Sequence, residues 1–580
     1  MGQATSTDSH IQTLSAEELS VQLADRFAHQ CFNPLELYSF KDNFRTLADS
    51  EGGVLYWKED TLVRFLELPE PLNVGGIIFQ AASHLGAFPF ESLVPAILDF
   101  GALVKVVALL TGRSKKVLKR TDRLKTLFRA FAVHERRVHD GSGGEVKEGG
   151  GGGGDVLVYD SDDGSEDLSL AALEALDAVN IHEHNKKQDI HHSHIPREHM
   201  KRLIMLLFVI SPLEETQSLT SFAPRFSPES LESLDRTAES ILGAFGPLKS
   251  GGITYPVFKK TIRNNMPFLF DQGLPALFSH FLFSKNVSGS TTTGCEAIPE
   301  PEPLLAHPGE ILNIDTLSQL SLLIQGDRLW RRVRPLYMGS DDGFSMGSFE
   351  TKVCKWLAPT ILLISGTCIP ASPSNIRERA FFDTLPPRKY PSSSYDDGRV
   401  VYGVFLETPW KISHKECFGD AQTILFQLFP VHRVWKASRQ VREYAYFNKD
   451  DGIGFGSEPQ GFGNSRRRSS GYFNIGPVSL VLEKGLEYGV FTNAGEGGAF
   501  VSAGEDDGRG CWQDRFEIEE VEVWGCGGES EAEAQRKAWQ WEEREALLRR
   551  QINLGKDIEA DRALLEMAGL IGQHISGGSM

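Results

Sequence analysis

The stretch YGVFLETPWKISHKECFGDAQTILFQLF, residues 402–429, sets two apolar runs on either side of a polar, turn-rich segment. It has two readings. Chemically, His414, Cys417 and Asp420 fall within seven positions and supply a base, a thiol and an orienting acid. A cysteine nucleophile needs a lowered pKa, an imidazole in hydrogen-bond reach, an oxyanion hole and a cleft. Groups that meet in an active site usually come from separate elements, whereas three polar residues of one loop are usually solvated. Structurally, the stretch is strand, loop, strand. Thr408-Pro409-Trp410 and Phe418-Gly419-Asp420 mark the turns, and Asp420 accepts backbone N–H bonds at the entry to the second strand. The structural reading is preferred; its alternative is a hydrolase or peroxide-reactive enzyme that uses Cys417.

Working outward, TILLISG (360–366), VVYGVFL (400–406), TILFQLF (423–429), VHRVWK (431–436), SLVLEKGLEYGVFT and DRFEIEEVEVWG are strand-like. Their spacing leaves no room for βαβ crossovers, so the sheet is expected to be mainly antiparallel. In the last of them Phe516 and Ile518 share one parity and Val521 and Val523 the other, which predicts a bulge at Glu519 and Glu520. PSNIRERAFFDTLPPRKYPSSSYDDG and DDGIGFGSEPQGFGNSRRRSSG read as inserted surface loops. The second carries GIGFGS, which has neither Rossmann nor P-loop spacing and reads as a flexible loop. It also carries Arg466–Arg468 before Ser469 and Ser470, a pattern that basic-directed kinases phosphorylate.

The first half is helical. Ser15 and Glu18 form a capping-box pattern ahead of Leu19, Leu23 and Phe27 on one face. DSEGGVLYWKED (49–60) resembles an EF-hand calcium loop, but Gly53 stands where an oxygen ligand belongs, Val54 replaces the turn glycine and the final Glu is an Asp. The expectation is an EF-hand-like helical fold without metal; a calcium-regulated adaptor is the alternative. Farther on, Ser227 and Pro228 open a helix whose stripe is Leu231, Leu234, Ala238, Ile241 and Phe245.

Composition limits the function. A formal charge of −18 argues against a phosphate-binding face, so direct contact with nucleic acid is not expected. Seven scattered cysteines without a CxxC pair read as reduced thiols of a cytosolic protein, with no metal and no cofactor implied. The longest clean apolar run, LIMLLFVI at 203–210, is far short of the roughly 18 residues a span requires. The N-terminus has no signal-peptide pattern, but Gly2 followed by Ser6 fits the N-myristoylation motif. One myristoyl chain gives only marginal, reversible membrane contact. Between residues 136 and 195 lie six consecutive glycines (149–154), an acidic run and most of a histidine-rich tract (His182, His184, His191, His192, His194 and His199), read as a disordered linker. At the C-terminus, Ala534, Ala538, Trp541, Leu548 and Ile552 predict an amphipathic helix, docked on its own domain or on a partner.

The ordered blocks PLYMGSDDGFSMGSFETKVCKWLAPTILLISG, VVYGVFLETPWK, FGDAQTILFQLFP, HRVWKASRQVREYAYFN, VSLVLEKGLEYGVFTN and FEIEEVEVWG strongly resemble the TLDc domain. The matching features are Gly403, Pro409, Trp410, Gly419, Asp420 and the terminal Trp524-Gly525; His414 and Cys417 are not among them. Together with the preceding helical parts, the chain is similar to a fungal group of TLDc proteins linked to telomere capping. The resemblance implies an antiparallel β-sandwich with flanking helices and no catalytic residues. It also implies a part in oxidative-stress protection, binding to the vacuolar proton-pumping ATPase, and a cytoplasmic place that extends to the vacuolar membrane. The expected class is α+β. The expected layout is a tail (1–14), an EF-hand-like helical domain (15–135), a linker (136–195), a helical region (196–285) and a second linker (286–307). The TLDc domain (308–528) and a C-terminal helical extension (529–572) complete it.

Overall fold

The structure, a computed structural model, describes residues 15–118, 122–134, 193–247, 252–283, 303–373, 375–393, 398–414, 416–459, 472–495, 497–501 and 510–527, with Ser530, Glu533 and Lys537 beyond. Gly2, Ser469, Ser470, the six glycines and Trp541 to Ile552 lie outside the described residues.

The N-terminal helices begin where their caps place them. In α1 (Ala16–Cys31) the Ser15 hydroxyl accepts from Glu18 N and the Glu18 carboxylate accepts from Ser15 N, and Leu19, Leu23 and Phe27 are buried. Asn33 and Glu36 repeat the device at α2 (Pro34–Leu47). A hairpin, β1 (Asp49–Glu51) and β2 (Val54–Tyr56), leads to α3 (Glu59–Phe65), α4 (Gly75–Gly86), α5 (Phe100–Leu110) and α6 (Arg123–Phe131). After β3 (Val133–His134) the described chain resumes at β4 (Ser193–Pro196). It continues through α7 (Arg197–Ile210), α8 (Pro228–Gly243), β5 (Gly252–Thr254), α9 (Tyr255–Asn265) and α10 (Gly273–Ser279). The described residues thus restart at Ser193, inside the segment read as linker.

The two helical stretches share one hydrophobic core. Phe281 lies 5.2 Å from the rings of both Phe40 and Trp57 and 4.5 Å from Phe65. The Asn43 amide donates to the carbonyls of Phe281 and Phe283. The small sheet β3-β4-β5 stitches the same two stretches together.

The C-terminal unit is a ten-stranded antiparallel sheet with flanking helices, so the α+β expectation holds. In chain order it comprises α11 (Ile314–Leu320), β6 (Val333–Met338), α12 (Gly339–Asp342), α13 (Met346–Val353), β7 (Thr360–Cys368), α14 (Ile376–Asp383) and β8 (Arg399–Leu406). Then follow β9 (Ile424–Phe429), β10 (Arg433–Lys436), β11 (Ala445–Asn448), β12 (Gly452–Phe455), β13 (Val478–Leu482), β14 (Tyr488–Asn493) and β15 (Trp512–Cys526). The strand order is β10-β9-β8-β7-β15-β14-β13-β12-β11, and β6 pairs with the far end of β15. The sheet folds over at β15 and its halves face each other. Tyr402 of β8 stacks on Phe491 of β14 at 4.4 Å, and Trp435 of β10 lies 4.7 Å from the same ring.

The predicted bulge is present as a register shift between Ile518 and Glu520. It places Phe516, Ile518, Val521 and Val523 in one core between the layers, despite their opposite parity. The outer face of the β7–β9 layer has its own core, where Ile361, Leu363, Val401 and Phe405 meet Leu312, Leu317 and Leu320. Burial on both faces explains why β7 and β8 read as unbroken apolar runs.

GIGFGS is corrected: Gly452–Phe455 is β12, paired on both sides, with Ile453 and Phe455 buried in the inter-layer core. Four residues between glycines are too short to reveal a strand by alternation.

Gly403 permits a close approach between neighbouring strands of this layer. A Cβ built there would lie 2.3 Å from the Phe426 ring and 2.9 Å from the Leu362 carbonyl oxygen. The variant Gly403→Val is expected to destabilise the sheet unit by about 1–3 kcal/mol through overpacking, measured as a lowered denaturant midpoint.

Candidate functional site

The chemical reading of the opening stretch fails on geometry. His414 Nδ1 faces Asp450 at 3.6 Å in an exposed pair. Asp420 stays within its own turn: its carboxylate accepts from Gln422 N at 2.9 Å, and Thr423 Oγ1 accepts from Asp420 N at 3.1 Å. Burial, with the carboxylates of Glu443 and Glu458 nearby, pushes the Cys417 thiol up to about 12. A nucleophile needs the opposite shift. The segment instead bonds alongside β11 (Ala445–Asn448): Phe418 and Ala445 exchange N–H···O bonds at 2.8 and 3.0 Å, and Ser413 N donates to Phe447 O.

The resemblance-bearing residues lie around this loop and serve packing. Trp410 donates from Nε1 to Thr360 Oγ1 at 2.9 Å and sits among Phe349, Phe418, Phe447 and Phe455. Pro409 is exposed in the turn before it. Gly419 adopts φ +96°, and a Cβ there would come within 2.9 Å of Tyr444. Trp524 is fully buried and donates to Glu522 at 2.9 Å, and Gly525 lies between Thr360 and Arg334 in the ladder.

The calcium-loop resemblance folds as α2, hairpin and α3, and Trp57 bridges to Leu98 just before α5. Its carboxylates have other partners: Glu51 accepts from the Tyr56 hydroxyl at 2.7 Å, and Asp49 faces Lys58 at 3.8 Å. Among the described residues no group of three or more His, Cys, Asp or Glu side chains is placed to hold a metal. Of the histidine-rich tract, His194 falls in β4 and His199 in α7, while His182, His184, His191 and His192 lie outside the described residues.

Sequence reasoning missed the polar junction between the helical and sheet units. His432, fully buried after β9, donates from Nε2 to Asn265 O at 2.9 Å and from its backbone N to Ser240 O at 3.0 Å. With Nε2 protonated, Nδ1 is the acceptor for Gln319 Nε2 at 3.1 Å, and the same amide donates to Leu428 O. Ser240 Oγ also donates to Leu428 O. Nearby, Arg225 pairs with Asp315 at 3.1 Å and donates to Ser318 and Phe208 O. The partners that join the two units are some 90 to 190 positions apart, so no local motif announces them. Burial drives the His432 pKa down to about 4, which keeps the ring neutral.

A family model for the TLDc domain matches residues 305–527. The fold and this match define a TLDc-domain protein. Restriction of telomere capping protein 5 of Leptosphaeria maculans is 46% identical over 625 residues, and that of Colletotrichum graminicola is 43% identical over 608. The Neurospora crassa protein of the same name is 42% identical over 611, and in all three cases the whole of both chains is covered. The chain belongs to the family of restriction of telomere capping protein 5.

Two outcomes follow. The folded-state pKa of His432 lies below its ordinary value, so its contribution is complete above about pH 6.5 and lost as pH falls toward 4. The loss is on the order of 3 kcal/mol at most. Thermal unfolding between pH 7 and pH 4 should show a steeper fall for wild type than for His432→Leu, whose profile starts lower and runs flatter. Alkylation at mildly basic pH should modify exposed Cys511 well before Cys417, read by mass spectrometry of peptides.

Proposed function

We propose that this chain acts by binding proteins and not by catalysis. Its TLDc domain docks on the vacuolar proton-pumping ATPase, and a myristoyl chain on Gly2 brings the protein from the cytoplasm to that membrane. The observation that carries the reading is the use of the domain's side chains. Gly403, Trp410, Gly419, Asp420 and Trp524 are engaged in turns and close packing, and the thiol among them is held protonated. Among the described residues no helix is long and apolar enough to cross a membrane. Protection against oxidative stress and the influence on telomere capping named in its relatives would then follow from the partner's activity, without contact to DNA; the formal charge of −18 agrees with this. Phosphorylation of Ser469 or Ser470 would add negative charge beside Arg466–Arg468 and tune that binding.

The test is affinity capture of wild type, Gly2→Ala and Cys417→Ala from cells, with mass spectrometry of the bound proteins. Subunits of the proton pump should accompany wild type and Cys417→Ala and be depleted several-fold with Gly2→Ala. Their absence from all three overturns the ATPase assignment, and their loss with Cys417→Ala alone would return the thiol to the centre of the function.

A further inference from the structure

Between the end of α4 (Gly75–Gly86), α5 (Phe100–Leu110) and the start of α6 (Arg123–Phe131) lies a cavity of about 280 Å³. Its walls are aliphatic: Leu85, Leu109, Leu110, Leu118 and Leu127, all buried. Protein interiors close-pack and keep few voids larger than a water molecule. An apolar cavity of about 150 Å³ already stays dry and admits benzene, and small-molecule sites begin near 300 Å³. This cavity therefore has the size and the lining of a ligand site. A smaller one, about 30 Å³, shares Leu85 and Thr126 as walls and lies toward Phe88 and Phe90.

The polar part of the lining includes Ser114 and Lys115, on the turn Arg113–Lys116. Arg113 is held by Glu36 at 2.8 Å, and Arg123, also in the lining, is held by Asp271. Lys115 is exposed and forms no ion pair among the described residues. A leucine pocket with Lys115 at its rim, a cation without an ion pair among the described residues, matches an apolar chain that ends in a negative charge.

We propose that this cavity binds a long-chain fatty acid, with the acyl chain among the leucines and the carboxylate at Lys115. An amide-linked myristoyl group has the same chain but no charge for Lys115 to meet, so the free acid is the better match.

The test uses full-length Gly2→Ala protein, which cannot carry its own acyl chain, titrated with a fluorescent polyene fatty acid. Unlabelled palmitate and its methyl ester serve as competitors. Binding should saturate at one site and be displaced by palmitate, with the ester and the Lys115→Glu variant each weaker by about tenfold, one ion pair's worth. Leu110→Trp should abolish binding while far-UV circular dichroism stays unchanged; Lys115 is exposed, so its replacement leaves folding out of the question. Binding that is absent, that the ester matches, or that survives Leu110→Trp undiminished overturns the proposal. So does binding by Gly2→Ala but not by wild type whose acylation is verified by intact mass, because the cavity would then belong to the protein's own chain.

Discussion

The sheet unit depends on a single strand that belongs to both of its layers. The fifteen residues of β15 (Trp512–Cys526) pair with β14 at their start, with β7 along most of their length and with β6 at their end. The extra residue between Ile518 and Glu520 reverses the parity midway. Without it, Val521 and Val523 would turn outward and Glu522 would enter the inter-layer core. With it, the Glu522 carboxylate points to the outer face and accepts from Ile311 N, Leu312 N and Trp524 Nε1. That buried acid, raised in pKa by desolvation and opposed by three donors, clamps the chain that enters the domain onto its final strand. Beginning and end are closed by one side chain.

The helical unit is held by a different principle. Its two stretches are separated by residues 135–192, yet they meet in one core and in the β3–β4 pairing of His134 with Ser193. Closing a longer loop adds entropy only logarithmically, so a large intervening segment is compatible with a stable core. The same unit supplies the Asn265 carbonyl, Ser240 and Arg225 to the junction, where buried hydrogen bonds between the two units favour one mutual arrangement.

Elements that declare themselves locally were legible in the sequence: the Ser15–Glu18 cap, the alternation of the long strands and the parity break at Glu519–Glu520. β11 and β12 were not, because four-residue strands bounded by polar or glycine positions carry too little periodicity. The union of the helical stretches was hidden for another reason. Phe281 meets Phe40 and Trp57 across more than 200 positions, and such pairings are fixed by tertiary packing alone. His414, Cys417 and Asp420 were visible but misleading, since nearness in a loop is not convergence in space. The leucine cavity gave no signal, as its walls are ordinary helix-face residues in sequence.

The segment 413–418 has a consequence for how this protein meets others. A sheet that ends in an unpaired strand offers its free N–H and C=O groups as a template on which another chain can grow, and proteins commonly block such edges. Here the blocking piece is covalently attached, bonding to β11 through Phe418 and Ser413, while at the opposite end the backbone carbonyl of Lys436, the last residue of β10, accepts from Val501 N and its ammonium donates to the Arg263 carbonyl of the helical unit. Each end strand of the sheet thus has part of its edge bonded from within. The fold resists edge-to-edge polymerisation, and a partner must recognise its side chains and contours unless it first peels away the loop that carries His414 and Cys417.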